Sequence, residues 1–254
     1  CRLKGCARAF WHPIRLILSV MHGDDFFSAA QRAQQKWLKG FLYRTFKVKK
    51  FSLLGEGEES ETTFLNRRLV YVPKLGFEYH PDTRHPLAAA RNLGLAEAKP
   101  VAAPAAKDGG TKLGDCLDEL EGEEKALYAA ETGRMIYYSL DRYDIQYAVR
   151  RLAIFLSAPR RLDMLRLKHL VKYLLGTLEY CWCFYYQENP GVVVVGISDS
   201  DWAEDPRTRK SVSSGYITWG RHVLEHFCSG QQVVALSSAE AEFNAAVTAF
   251  LGEL

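Results

Sequence analysis

Long apolar runs are what this sequence most clearly lacks. The longest, such as residues 192–195 and 16–20, are broken by Arg, His, Gly or Asp well before the roughly 18 residues a membrane-spanning helix needs. A membrane partner is therefore excluded as an expectation, and no signal peptide is visible. Cysteine is sparse. The six, at positions 1, 6, 116, 181, 183 and 228, fit neither a disulfide framework nor the paired-Cys spacing of a zinc site, and they point to a reducing interior. No repeat of solenoid length occurs. The net charge of +3 is too small to imply a nucleic-acid partner by itself. The first residue is Cys1, not Met, so the expectation is a processed chain or a piece of something longer.

What is present is a globular composition. With 254 residues, 48% hydrophobic and 25% charged, the chain is long enough for one large domain or two small ones. Residues 15–20 are apolar and partly β-branched, and with 21–27 they predict a hairpin carrying two acids at its tip. Residues 28–46 turn helical, with Ser28 as N-cap and Trp37, Phe41 and Leu42 at helical spacing. The acidic stretch 55–61 predicts a turn, 64–71 and 75–79 a hairpin, and 83–93 a helix ended by Gly94. Residues 99–124, with Pro100, Pro104, Gly109 and Gly110 and then a run of acids, read as a linker. Helices are predicted over 123–139, 144–155 and 162–178, the last with Leu167, Leu170, Val171, Leu174 and Leu178 on one face. Beyond Tyr180, the segments 181–187, 192–198, 213–219 and 223–227 read as strands, and 240–251 as a helix behind a Ser237-Ser238 cap.

Three carboxylate groups stand out. Asp24 and Asp25 follow a glycine at a hairpin tip, Asp199 and Asp201 end an apolar strand, and Glu240 and Glu242 begin a helix. Gathered acids repel unless a cation neutralises them, which makes such a cluster a cradle for Mg²⁺. Two ions about 4 Å apart could activate an attacking oxygen and stabilise a leaving one in phosphodiester chemistry. Each pair alone is also what turns and helix N-termini ordinarily carry. Residues 141–172 are rich in Lys and Arg, and a solvated helix face and a phosphate-binding stripe are both open readings there. The candidate nucleic-acid contacts are Arg150, Arg151, Arg161, Lys168 and Lys172, none of which offers an aromatic platform for reading bases.

The neighbours of these acids form an ordered series. His22-Gly23-Asp24-Asp25 resembles the reverse transcriptase motif of copia-type retrotransposon Pol polyproteins, and residues 94–101 resemble the end of that family's polymerase thumb. Residues 136–148 resemble its connecting segment, where the family usually has proline at the place of Tyr143, and 173–177 continue it. Most specific are Ser198-Asp199-Ser200-Asp201-Trp202-Ala203, then Arg209-Lys210-Ser211 and Ser214-Gly215-Tyr216, then Ala235-Leu236-Ser237-Ser238-Ala239-Glu240-Ala241-Glu242-Phe243. The resemblance covers about 15–254.

It implies an α+β fold: a reverse transcriptase palm and thumb remnant over 1–98, the linker at 99–124, a helical connection over 125–180, and a truncated ribonuclease H-like domain over 181–254. The last would hold three antiparallel strands and a first helix. Asp199 resembles the first catalytic aspartate of ribonuclease H and Glu242 its catalytic glutamate, both as Mg²⁺ ligands within one ion's span of each other. Asp24 and Asp25 resemble polymerase ligands, whereas Asp201 and Glu240 are expected to face solvent or cap, and His222 and His226 to be ordinary strand-edge residues. The partners implied are RNA, DNA, RNA–DNA hybrid and the missing polyprotein segments; the setting is intracellular, cytoplasmic or nuclear, including retroelement particles. In the family a third ribonuclease H aspartate lies beyond the first helix and the first polymerase aspartate lies upstream of the motif at Asp24. The expectation is therefore a piece that lacks a ligand at each site and is inactive as given. A non-enzymatic remnant that binds nucleic acid electrostatically is the alternative. An actin-like ATPase is disfavoured because no Gly-rich phosphate loop follows the Asp199 strand.

Overall fold

A computed structural model describes residues 8–105, 117–189, 191–205 and 208–251. Cys1, Cys6, Cys116 and much of the expected linker lie outside the described residues. Helix and strand are mixed, with six α-helices and three antiparallel sheets among the described residues. The chain divides into two compact units, Cys1–His80 with Cys181–Tyr186, and Pro81–Tyr180 with Gln187–Leu254.

In the first unit β1 (Ala9–His12), β2 (Ile17–His22) and β3 (Asp25–Ala29) form a meander in that order. The expected hairpin is β2–β3, with Gly23 at φ +58° supplying the left-handed turn between paired His22 and Asp25. Helix α1 (Arg32–Thr45) starts later than expected. Ser28 is a strand residue, its Oγ 2.9 Å from Ser19 Oγ across the β2–β3 ladder, and cross-strand pairing outweighs its capping propensity. The second sheet orders β4 (Glu61–Phe64), β5 (Arg67–Val72), β6 (Gly76–His80) and β7 (Trp182–Tyr185). The expected two-stranded hairpin is thus part of a larger sheet: Phe64 ends a strand of its own because Leu65 and Asn66 turn the chain with positive φ.

The second unit has a helical core. Helix α2 (Arg84–Asn92) precedes α3 (Gly122–Ser139), a 3₁₀ turn (Tyr143–Ile145), α4 (Gln146–Ala153) and α5 (Arg161–Leu175). Tyr128, Met135 and Tyr138 share one face of α3, and Leu167, Leu170, Val171 and Leu174 share one face of α5, all buried in one cluster. Leu178 falls beyond the end of α5. Within this core Arg142, only 3% exposed, forks onto Asp144 at 2.8 and 2.7 Å and also donates to Thr177. The same unit carries β8 (Val194–Asp201), β9 (Val212–Trp219) and β10 (His222–Gly230), ordered β10-β9-β8, followed by α6 (Ser238–Leu251). Strand β7 does not join them; it pairs antiparallel with β6.

Candidate functional site

Strand β8 runs through both candidate aspartates, so its alternation decides which way each faces. Ser200 lies opposite Ser213, and Gln231 links Ser213 Oγ (3.0 Å) to the Ala241 carbonyl of α6 (2.8 Å). A methyl at Gly196 would meet Ala249 at 3.7 Å, which places Gly196, Ser198 and Ser200 on the α6 face. Glu242 reaches that face. Its Oε1 accepts from Ser200 Oγ at 2.8 Å and from Ser200 N–H at 3.3 Å.

Asp199 and Asp201, offset by one residue, belong to the opposite face. There Tyr147 of α4 donates to Asp201 at 3.2 Å and stands 3.4 Å from Glu204. Burial, and then the Glu204 charge, push the Tyr147 hydroxyl up to about 12. Asp199 and Glu242 come to the same end of β8, Asp199 from the face opposite α6, while Glu242 is engaged by Ser200 on the α6 face. Glu240 behaves as a cap, accepting from Leu236 N–H at 2.7 Å while its own N–H donates to Ser237 Oγ at 3.2 Å. His226 packs near Tyr143 with ring centroids 6.2 Å apart, and burial holds its pKa below the usual histidine range.

Asp24 and Asp25 are exposed at the β2–β3 turn. They border a groove of about 1660 Å³ that Lys47, Lys49, Lys50 and Phe51 also line. Those lysines follow the end of α1 in the chain, and no local pattern of residues encodes their place along the groove. Among the basic candidates, Arg161, Lys168 and Lys172 recur at seven- and four-residue steps and form one stripe along α5. Arg150 and Arg151 of α4 instead approach Glu204 at 3.9 and 3.3 Å.

This chain is 32% identical over 153 residues to the retrovirus-related Pol polyprotein from transposon RE1 of Arabidopsis thaliana, covering 58% of this chain and 10% of that protein. It is 33% identical over 159 residues to the corresponding polyprotein from transposon TNT 1-94 of Nicotiana tabacum, covering 60% and 12%. Over these spans the chain is similar to the Pol polyproteins of copia-type retrotransposons. An uncharacterized mitochondrial protein of Arabidopsis thaliana, AtMg00810, is 28% identical over 165 residues, 65% of this chain and 66% of that one. No family model and no solved structure matches. The chain spans about a tenth of the length of the Pol polyproteins it matches. Among the described residues, no helix is long and apolar enough to cross a membrane.

Proposed function

We propose that this chain is a segment joining the end of a reverse transcriptase to the start of a ribonuclease H, inert by itself and acting on RNA, DNA and RNA–DNA hybrids only within the complete Pol parent. In this reading Asp24 and Asp25 belong to the polymerase site and Asp199 and Glu242 to the nuclease site, with Mg²⁺ supplied to the complete enzyme. The observation that carries the inertness is the separation of Asp199 and Glu242 onto the two faces of β8. A two-metal site depends on carboxylates held together before the ion arrives, and misplacement by about 1 Å already costs on the order of 100-fold in rate. What the chain's own residues do is structural: Glu242 holds the start of α6 against β8, and Tyr147 holds Asp201 toward α4.

The test is cleavage of a labelled RNA strand annealed to DNA, and extension of a primer on RNA, with the purified chain in Mg²⁺. No turnover is expected in either. Metal-dependent hybrid cleavage that disappears with Asp199→Asn would overturn the reading. A second reading, electrostatic binding of nucleic acid without catalysis, is favoured by the Arg161, Lys168 and Lys172 stripe on α5.

A further inference from the structure

Cysteine spacing alone gives no zinc motif, but the β6–β7 ladder assembles a donor set from two short patterns. Glu78 and His80 are two apart on β6, so they share a face; Cys183 lies on the paired strand β7, and Cys181 is the residue just before that strand begins. Glu78 stands directly opposite Cys183 in the register. Ligand atoms of Glu78, His80 and Cys181 all lie within 4.8 Å of one another, and all three residues are half-buried. The exposed Cys183 brings a second sulfur 3.9 Å from Cys181 Sγ. These four donors differ in hardness, and that mixture of thiolate, imidazole and carboxylate suits Zn²⁺.

Two of the spacings match the edges of a tetrahedron, and the exposed Cys183, which stands outside the three-donor cluster, has to turn in to complete it. With Zn–S near 2.3 Å and Zn–N or Zn–O near 2.05 Å, the S···S edge of a tetrahedral site is about 3.8 Å and the N···O edge about 3.4 Å. Here Cys181 and Cys183 are 3.9 Å apart, and His80 Nε2 and Glu78 Oε2 are 3.1 Å apart. The donors are also held from behind. Tyr185 donates to Glu78 Oε1 at 2.6 Å, which leaves Oε2 turned toward His80, as an outer-shell partner of a metal ligand does.

We propose that Glu78, His80, Cys181 and Cys183 form a tetrahedral Zn²⁺ site that ties the returning strand β7 to β6. The site is distinct from the Mg²⁺ chemistry expected of the parent and needs neither Asp24 nor Asp199. Arg68 opposes it. Its guanidinium is 3.4 Å from His80 Nδ1, where it can only donate, so His80 must take a proton at Nδ1 and release Nε2 when the ion binds. That long contact is weak, and Arg68 retains Glu61 at 3.4 Å.

The experiment titrates the reduced, metal-stripped full chain with Co²⁺ and then displaces it with Zn²⁺. One Co²⁺ per chain is expected, with tetrahedral visible bands and a thiolate charge-transfer band. Cys183→Ser, at an exposed position, should keep the far-ultraviolet dichroism and halve the charge-transfer band. Cys181→Ser with Cys183→Ser should abolish it. His80→Gln should weaken Zn²⁺ at least about 100-fold, the upper end of what losing an outer-shell partner costs. Arg68→Ala should tighten binding, and Cys228→Ser should change nothing. A charge-transfer band that survives the double substitution, a pale octahedral spectrum, or a Cys181–Cys183 disulfide in place of metal binding overturns the proposal.

Discussion

Glu242 Oε1 accepts a hydrogen bond from Ser200 Oγ at 2.8 Å, one residue along β8 from Asp199 and on the other side of the strand. That contact gives Glu242 a structural task that Asp199 does not share. Glu242→Ala should destabilise the second unit by about 1 kcal/mol, the net worth of an ordinary hydrogen bond, because it removes the acceptor for both Ser200 groups. Asp199→Asn, at an exposed strand position, should stay within about 0.5 kcal/mol of the parent. Urea unfolding of the two variants checks this, and equal effects would mean that the α6 contact contributes nothing.

The Arg142–Asp144 pair sets an acid limit on the helical core. Burial works against the Asp144 charge, but the Arg142 fork and the Tyr173 hydroxyl at 2.8 Å together hold its pKa below the usual carboxylate range. A depressed folded value means this stability is fully present above about pH 3.9, the unfolded value, and lost as pH falls through the folded one. Asp144→Ala leaves the Arg142 charge buried without its carboxylate and should cost roughly 3–5 kcal/mol at neutral pH. Its deficit relative to the parent should shrink below about pH 4, which denaturant midpoints across pH will show.

Gly76 is where β7 comes closest to β6. Its φ is +143°, and a Cβ there would meet the Phe184 carbonyl oxygen and lie 2.8 Å from Tyr185 Cα. Gly76→Ala should cost on the order of 1–3 kcal/mol through strain at this one crossing. Amide exchange should speed up at Trp182–Tyr185, while the buried amides of Leu167 and Leu170 keep their protection. Uniform acceleration across both sets would contradict a local clash.

How much of this was legible depends on whether the cause was local. The apolar face of α5 and the capping pair Ser237 and Glu240 are written in residues three or four apart, and the structure has both. Strand β8 was read as ending near Ser198 because its last residues are polar, yet at a sheet edge ladder bonds to β9 carry the strand through Asp201 without apolar side chains. The partner of β7 was not legible at all, since its pairing with β6 spans about a hundred residues and rests on the space that Gly76 leaves. For the same reason Glu78, His80 and Cys181 were passed over: each pattern is ordinary alone, and only the ladder makes them neighbours. The opposed faces of Asp199 and Glu242 follow from a register of one residue, which a motif in letters does not carry.

Nucleic-acid binding, where this chain retains it, should come from α5. Arg161, Lys168 and Lys172 form a single stripe, whereas Arg150 and Arg151 are drawn to Glu204, so the charges available to phosphates lie mainly on the longer helix. Each phosphate neutralised releases condensed counterions, and the slope of log affinity against log salt changes by about 0.9 per contact on duplex DNA. Replacing Lys168 and Lys172 together with Gln should therefore flatten the slope by about two units, with little change in preference among sequences. Because both side chains are half-buried along the helix edge, a folding check by thermal melting accompanies the titration. A slope that does not change while the fold is intact assigns the stripe to solvent, and a slope that changes only when Lys47, Lys49 and Lys50 are replaced moves the contact surface to the groove beside Asp24 and Asp25.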